Sequence, residues 1–420
     1  MRKSVLFAVS ALLAAVSFAA ATVKDVKVTQ CWPWSGRVCI DYTLDAPAGA
    51  VCDIDIELKD GNQPIPCGWG EFKRTLYGVT AGTYRISWDP ALAATGLKPL
   101  WPDFTATVRV TSDDDTWMIV DISGGAGVES FPVSFTGTPP SGGWNQDEYK
   151  TTKMVFRKIP AGTFTMGSPK DEISHSDRTE TLHEVTFTND FYIGVFELTK
   201  SQYSNIVWTA EQQTPGYAVK SSAVYLNYGG LRGVNSRGKA NFPAYDEDSF
   251  FGRFNKKFDF SGTLGDYVFD VPTISQWEYA CRAGTTGAWN NGTTITNATK
   301  DANLALLARY RGNGWFAVDT VGNFLPNGFG LYDMHGNAGE ICLDVVPDGS
   351  VVWWNGSALV EPILYDPDHW PWNAVLRGGN EEENAGNCRS ASNNSGSSSG
   401  IGQTGHRGVG VRLALVRRRK

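Results

Sequence analysis

The sequence predicts a β-rich chain of two domains, the first a β-sandwich and the second a larger domain with many irregular loops. The chain has 420 residues, which exceeds a single typical hydrophobic core. It contains 46 Gly and 15 Trp and few long helical periods, a composition typical of loop-rich proteins with aromatic cores. A run rich in Pro and Gly, residues 138–143, separates the two parts.

The first domain, residues 22–137, is predicted from segments that alternate apolar and polar residues with the period of a β-strand. Turn sequences such as Asp60-Gly61-Asn62 lie between these segments, and helical patterns do not. This spacing indicates an immunoglobulin-like or fibronectin-like sandwich. Such modules often act as spacers or adhesion surfaces, so a structural or adhesion role is one functional alternative. The segments are Val38–Tyr42, Cys52–Leu58, Thr83–Trp88 and Phe104–Val110.

The first 21 residues, 1–21, have the features of a cleaved signal peptide. Arg2 and Lys3 are positively charged, Val5–Phe18 is mostly apolar, and Ala19–Ala21 provides small residues for cleavage. The apolar stretch is too short to span a bilayer, so we expect no stable membrane insertion. The mature protein is predicted to be secreted, periplasmic or at the cell surface. The full chain has a formal charge of −7, and removal of Arg2 and Lys3 with the signal peptide makes it more negative. This charge repels phosphate backbones, so nucleic acid is not an expected partner.

The seven cysteines of an exported chain favour disulfides with one thiol left over. Cys31, Cys39, Cys52 and Cys67 cluster in the first domain, and the sequence does not choose between their three possible pairings. A metal site built from these four residues is the alternative, although they lack the C-x-x-C spacing of zinc sites.

Residues 138–150 are predicted as a linker, and residues 151–417 as the second domain. Val155–Ser168 predicts a pair of strands joined by a turn at Pro160-Ala161-Gly162. Glu197–Tyr203 predicts the start of a helix with Thr199 as N-cap and Gln202 three residues later. A last strand is predicted over Gly408–Val416.

Three blocks in this domain identify a family. They read P-T-I-S-Q-W-E-Y-A-C-R-A-G at residues 272–284, G-F-G-L-Y-D-M-H-G-N-A-G-E at 328–340, and L-R-G-G-N at 376–380 followed by N-C-R-S-A at 387–391. In this order they resemble the formylglycine-generating enzyme, or sulfatase-modifying factor, family, whose fold is related to C-type lectins. The resemblance runs from about residue 154 to 416. It implies an α+β domain with many irregular loops.

The resemblance also implies calcium sites. In the family, the positions of Asp333 and Glu340 bind calcium through side chains, and those of Gly336 and Ala338 through carbonyl oxygens. Carboxylates and carbonyls are the ligands that this ion prefers. The alternative is that Asp333 caps a turn and Glu340 pairs with an arginine such as Arg412. A second family site is matched only in part, by Asn303 and Leu304.

The cysteines decide which chemistry the resemblance implies. In the family, the cysteines at the positions of Cys281 and Cys388 form a structural disulfide, and the alternative is that Cys388 is a catalytic thiol. The resemblance thus leaves Cys342 as the odd cysteine, and we expect it to be a buried small hydrophobe. Active members carry two further redox cysteines before the position of Cys388 and bind copper through thiolates, which select Cu(I). Here the corresponding stretch, Asn380–Asn387, has no cysteine. We therefore expect no copper and no catalytic residue.

The same stretch predicts a ligand groove. In active relatives this region lines the groove for the substrate peptide, and in other lectin-like proteins it contacts ligands. Polar groups and flanking tryptophans would orient and stack a peptide or a glycan, whereas a solvated loop over a tryptophan core is the alternative. The leading function is therefore non-catalytic binding of a peptide, protein or carbohydrate, and the runner-up is a formylglycine-generating oxidoreductase acting on a sulfatase cysteine. The predicted groove residues are Asn380, Glu381, Glu383, Asn387, Trp353, Trp370 and Trp372.

Overall fold

The computed structural model describes residues 21–31, 36–46, 52–65, 76, 79–88, 101–111, 115–208, 220–222, 226–234, 245–258, 267–314, 318–345, 356–364, 374–395 and 408–417. Several predictions concern residues outside these ranges. They concern the signal peptide, Cys67 and three groove residues, Trp353, Trp370 and Trp372.

The N-terminal part consists of two three-stranded antiparallel sheets, in the orders β1-β2-β5 and β4-β3-β6. In β2, alternate residues from Val38 to Leu44 are buried, and the residues between them are partly exposed. The apolar–polar alternation therefore places one face of each central strand in the core, whereas the immunoglobulin-like or fibronectin-like assignment stays a prediction. The strands are β1 (Thr22–Gln30), β2 (Val38–Asp45), β3 (Asp53–Asp60), β4 (Gln63–Ile65), β5 (Gly82–Trp88) and β6 (Phe104–Thr111).

The remaining described chain combines short helices with further sheets. These elements are β7 (Trp117–Asp121), β8 (Val133–Thr136), β9 (Lys153–Ile159), β10 (Gly162–Met166), β11 (His183–Phe187), β12 (Phe191–Gly194), α1 (Lys200–Val207), α2 (Tyr228–Arg232), α3 (Phe250–Asn255), β13 (Tyr267–Asp270), α4 (Ile274–Arg282), β14 (Gly339–Val345), β15 (Leu359–Val360), β16 (Ala374–Arg377), β17 (Asn394–Ser395), β18 (Val409–Gly410) and β19 (Ala414–Arg417). The sheets have the orders β13-β19-β12-β9-β7-β8, β17-β16-β14-β18 and β10-β11-β15. Parallel pairs occur beside antiparallel ones, and this mixture confirms the α+β class.

The structure moves the boundary between the two parts. The strands β7 and β8 fall within the predicted first domain, but they belong to the six-stranded sheet. There β8 pairs with β7, and β7 pairs with β9, for example Met118 with Phe156. The predicted linker 138–150 packs against this sheet as well, because Trp144 is buried and its ring lies 5.2 Å from that of Trp117 in β7. The Pro- and Gly-rich composition of residues 138–143 therefore does not mark the start of the larger sheet, because the strand before it, β8, already belongs to that sheet.

The predicted strand pair at residues 155–168 is wrong in its pairing. Both strands form, as β9 and β10, but β9 pairs with β7 and β12, whereas β10 pairs with β11 in another sheet. The chain changes sheets at Pro160 and Ala161, and the nitrogen of Ala161 donates to Asp190 at 2.8 Å. The predicted last strand is divided into β18 and β19, which also belong to different sheets.

The predicted helix start is confirmed. Thr199 caps α1, and Gln202 returns the bond to the backbone of Thr199, which completes a capping box. The same device, Thr273 with Gln276, begins α4, whose residues are almost all buried. Among the described helices, none combines the length and the apolar composition needed to cross a membrane.

Candidate functional site

The segment 333–340 folds into a tight loop because three of its residues adopt positive φ angles. The angles are 56° at Asp333, 80° at Gly336 and 59° at Asn337. A Cβ atom on Gly336 would lie 2.1 Å from the carbonyl oxygen of Arg309, so glycine is required at this position. The loop leads into β14, which positions Glu340.

Glu340 forms a buried ion pair with Arg412. Arg412 Nε lies 3.0 Å from each carboxylate oxygen and Nη2 lies 2.7 Å from Oε1, while Trp277 Nε1 donates to Oε2 at 2.6 Å. The side chains of Arg412 and Glu340 are 0% and 1% exposed. Each oxygen of Glu340 thus accepts two hydrogen bonds, and the pairing agrees with the alternative interpretation of Glu340.

The other donors of Arg412 bind backbone carbonyls. Nη1 donates to the oxygens of Gly194 and Val195 at 2.9 and 3.0 Å, and Nη2 donates to the oxygen of Tyr332 at 2.7 Å. Arg412 therefore joins the end of β12 to the beginning of the 333–340 loop as well as to β14. Its five N–H groups all have acceptors.

Glu197 is a site residue that the sequence analysis did not identify. It is completely buried, and its carboxylate accepts bonds from Ala338 N at 2.9 Å and from Asn337 Nδ2 at 2.5 Å. Burial, then the nearby carboxylates of Asp333 and Glu340, raise the pKa of Glu197 well above its ordinary value. A single acid in the apolar stretch Val195–Leu198 is the sequence signal that marks it.

Asp333 is also buried, and Gly322 N donates to its Oδ2 at 2.6 Å. Burial raises the pKa of Asp333 to about 6, although the bond from Gly322 and the charge of Arg412 act in the opposite direction. The bond from Gly322 supports the alternative interpretation of Asp333 as a residue that caps a turn. Lys150, only 5% exposed, supplies a further nearby positive charge.

The arrangement of these side chains does not fit a calcium ion. Calcium takes about six to eight oxygen ligands, but the oxygens of Glu340 are occupied by Arg412 and Trp277, and those of Glu197 by the loop itself. In the part of the chain that the structure describes, no group of three or more His, Cys, Asp or Glu is placed to hold a metal ion. Calcium binding stays a prediction, and it would require Glu340 to leave Arg412.

The residues of the second predicted calcium site lie in a 3-10 turn. The carbonyl oxygen of Asn303 accepts from Leu306 N at 3.3 Å, and that of Leu304 accepts from Leu307 N at 2.9 Å. Asp301 accepts from the nitrogens of Asn303 and Leu304 at 2.9 and 3.1 Å. These bonds account for the local geometry of the turn without an ion.

Cys281 and Cys388 are fully buried free thiols on either side of His335. His335 Nε2 lies 3.8 Å from Cys281 Sγ, and His335 Nδ1 lies 2.7 Å from the carbonyl oxygen of Cys388. Asn290 N donates to Nε2 at 3.0 Å, so Nδ1 carries the proton. Burial raises the pKa of Cys281 to about 12 and also raises that of Cys388. The predicted disulfide between these cysteines stays a prediction.

A second buried ion cluster supports the R-G-G segment. Glu278 of α4 binds Arg377 through Oε2 and Arg282 through Oε1, the latter at 2.8 Å. Arg377 Nη1 also donates to the carbonyl oxygens of Ala391 and Ser392, at 2.9 Å each. The arginine of the L-R-G-G-N motif therefore fixes the chain that follows C-R-S-A.

A third cluster holds the turn before Cys388. Arg389 forms two parallel bonds to Glu180, at 2.8 and 2.9 Å, and one to Glu172 at 2.6 Å. Its Nε donates to the oxygen of Gly386 at 2.9 Å. Sequence analysis missed these acids because they lie more than two hundred residues from Arg389, and only the folded chain brings them together.

The described residues of the predicted groove form part of this turn. Asn387 is exposed and donates to Glu383 Oε2 at 2.6 Å, and Asn380 Oδ1 accepts from Glu382 N at 2.9 Å. Glu381 differs from them because its side chain is buried, beside Gly408. The structure thus brings Asn380, Glu383 and Asn387 together near the surface and places Glu381 in the interior.

Comparison with known proteins agrees with the resemblance seen in the sequence. A family model described as the sulfatase-modifying factor enzyme 1-like domain matches residues 143–416. A stretch of 79 residues is 35% identical to the formylglycine-generating enzyme of Mycobacterium tuberculosis and covers 17% of this chain but only 25% of that enzyme.

Two solved structures show further similarity. PvdO from Pseudomonas aeruginosa has a TM-score of 0.45 at 23% identity, over 62% of this chain and 94% of its own. Treponema denticola variable protein 1 has a TM-score of 0.46 at 20% identity, over 63% of this chain and 95% of its own.

Proposed function

The chain belongs to the sulfatase-modifying factor enzyme 1-like family, and we propose that this member is an exported protein that binds a peptide, protein or glycan and does not generate formylglycine. The observation that carries the proposal is the connection from Gly379 to Cys388. Its residues, Asn380–Asn387, include no thiol, and their polar side chains bond to one another and to the adjacent backbone. Soft thiolates are what a copper site of this family requires.

The remaining thiols of the domain do not replace the missing pair. A thiolate, and not a thiol, is the nucleophile and the metal ligand. Burial raises the pKa of Cys281 to about 12 and raises the pKa values of Cys342 and Cys388 as well. In the absence of a metal ion all three thiols therefore stay protonated near neutral pH, and all three lie in the core rather than at the surface.

Support for ligand binding comes from the rigidity of the same turn. Arg389 ties it to Glu172 and Glu180, and the side chains of both Arg389 and Glu180 are buried. A surface that is held in one conformation before binding loses less entropy when a ligand orders on it. Asn387 and Glu383 present polar groups at the outer edge of this turn.

The catalytic half of the proposal is tested with copper. The mature full-length protein is loaded with Cu(I) and incubated with a cysteine-bearing sulfatase peptide, and the peptide mass is followed. We expect no change in mass. A formylglycine-generating enzyme run in parallel is the positive control, and steady conversion of cysteine to the aldehyde by this protein would refute the proposal.

The binding half is tested on peptide and glycan arrays probed with the same protein. We expect retained ligands to be lost in Asn387→Ala and Glu383→Ala, whereas Asn62→Ala, an exposed residue in the turn between β3 and β4, should bind normally. If both turn variants retain the same ligands as the wild type, the binding surface lies elsewhere. An array without any retained ligand would favour the structural or adhesion alternative.

The second candidate function is formylglycine generation itself. It is favoured by the local identity to the Mycobacterium tuberculosis enzyme, 35% over 79 residues. It would need thiolates from outside Asn380–Asn387, and the copper experiment decides between the two candidates.

A further inference from the structure

The structure brings two cysteines of the N-terminal part together at the end of a hairpin. In the β1–β2 pair, Thr29 lies opposite Cys39, and Cys31 N continues the pairing with a bond to Arg37 O at 2.9 Å. Because side chains alternate along a strand, Cys31 lies on the same face as Thr29 and therefore on the same face as Cys39. The two sulfur atoms are 3.8 Å apart.

We propose that Cys31 and Cys39 form a disulfide in the exported protein. This choice goes beyond the proposed ligand binding and does not depend on it, but it requires an oxidising compartment. It selects one of the three partners that the sequence leaves open for Cys31. The two sulfur atoms already share one side of the sheet and lie 3.8 Å apart, compared with about 2.05 Å in a disulfide.

The oxidation is balanced by thiol–disulfide exchange with a disulfide oxidant. The thiolate of one cysteine attacks the oxidant and releases one of its thiols, and the second cysteine then displaces the other thiol from the mixed disulfide. Cys31 and Cys39 together lose two protons and two electrons, and the oxidant is reduced to two thiols. Neither a metal ion nor another residue takes part.

The position of β1 explains what the bond would do. β1 is an edge strand, paired with β2 alone in its sheet, and most of its residues are exposed. Such a strand gains little from apolar burial, so its attachment depends on the ladder and on surface pairs. A disulfide at Cys31 and Cys39 fastens the end of β1 where the chain leaves the sheet.

Metal binding by the same thiols is a weaker explanation. A structural zinc or iron site takes about four ligands. Within the described ranges no group of three or more His, Cys, Asp or Glu could hold a metal ion. Two thiols alone are too few ligands for such a site, whereas two thiols are sufficient for a disulfide.

Peptide mapping tests the pairing. Reduced full-length protein is equilibrated natively with oxidised and reduced glutathione, its remaining thiols are alkylated, and it is digested with trypsin and a protease that cleaves before Asp. Trypsin cuts after Arg37, between Cys31 and Cys39, and the second protease cuts before Asp41, which separates Cys39 from Cys52. We expect the Cys31 and Cys39 peptides to be recovered as one linked species that reduction separates.

Variants complete the test. Cys39→Ser should leave Cys31 fully alkylated, and Cys342→Ser, in the other domain, should leave the linked species unchanged. Reduction should lower the melting temperature of the wild type more than that of the Cys31→Ser/Cys39→Ser double variant. Recovery of Cys31 linked to Cys52 or Cys67, or of both thiols alkylated after equilibration, would overturn the proposal.

Discussion

The two parts of the molecule place their charges in opposite ways. The ion pairs formed within the N-terminal sheets lie on the surface, and the side chains of Lys24 and Asp45 are 56% and 61% exposed. Asp53 of β3 instead pairs with the buried Arg157 of β9. In the larger domain, the side chains of Arg412 and Glu340 are 0% and 1% exposed, and so are those of Arg377 and Glu278. Charge is therefore a surface feature in one part and a component of the core in the other.

The difference follows from how each part satisfies its backbone. In the N-terminal sheets, neighbouring strands exchange backbone bonds in regular antiparallel ladders. The larger domain buries irregular loops, whose carbonyl oxygens need other donors. Arg412 donates to three carbonyl oxygens and Arg377 to three more. A buried arginine here is a donor to loops, and its paired acid balances the charge.

Removing Arg412 should have the largest effect. Arg412→Met leaves the Glu340 carboxylate and three carbonyls without their donor in the core, and breaking such a pair costs about 3–5 kcal/mol. Urea unfolding followed by tryptophan fluorescence should show this loss in the transition of the larger domain.

The double variant Arg412→Met/Glu340→Gln is the matched control for Arg412→Met. It removes both charges, so it should recover part of the stability that the single variant loses. If the single variant loses less than about 1 kcal/mol, Arg412 would not be the donor that holds these loops together.

Asp333 should give the next largest effect, in the pH dependence of stability. Its pKa is about 6 in the folded protein, above the ordinary value of 3.8. Between these values the folded protein keeps a proton that the unfolded chain releases, so stability should fall as pH rises from about 4 to 6. The decrease should be on the order of 1–3 kcal/mol.

The variant Asp333→Asn isolates this contribution, because it cannot titrate and keeps an acceptor for Gly322 N. Free energies of unfolding measured at several pH values should separate the two proteins as pH rises. Parallel profiles over the whole range would show that Asp333 is ionised in the folded protein, contrary to its buried position.

A surface pair of the N-terminal part should give a smaller effect. Arg85 binds Asp41 through two hydrogen bonds, at 2.6 and 2.8 Å, but its side chain is 67% exposed. Solvent screens such a pair, and water replaces it when it is removed. Arg85→Ala should shift the urea midpoint by no more than the scatter between repeated titrations. A loss comparable with that of Arg412→Met would erase the contrast between the two parts.

Local sequence signals predicted local structure well. The Thr199 and Gln202 capping box was readable because its partners are three residues apart. The burial of alternate residues in β2 was also predictable, because the alternation of apolar and polar residues is a local pattern. Pairing between strands that are distant in the sequence could not be predicted from local patterns. For this reason β7 and β8 were placed with the N-terminal strands, and β9 and β10 were expected to pair with each other.

The parts of the site that lie in sequence motifs were predictable. The three sequence blocks located the 333–340 loop and Cys388, and the possible pairing of Glu340 with Arg412 was recognised as an alternative. Glu197, Glu180 and Glu172 were missed, because each acts through a partner more than a hundred residues away. A buried acid has no fixed spacing from its arginine, so only the fold identifies such a pair.

Calcium should have the smallest effect, although the family resemblance implies that it binds at this loop. An ion present at 100 times its dissociation constant would stabilise the folded protein by about 2.7 kcal/mol. To accept it, Glu340 would have to release Arg412, and an unpaired buried charge costs about 3–5 kcal/mol. That cost weakens the affinity for calcium, and an ion present below its dissociation constant adds little to stability, so we expect the same melting temperature with calcium and without it. Protein shown to be metal-free by elemental analysis is melted with calcium, with magnesium as a control, and with chelator. A rise specific to calcium, reversed by chelation and absent in Glu340→Ala, would show that Glu340 exchanges its arginine for the ion.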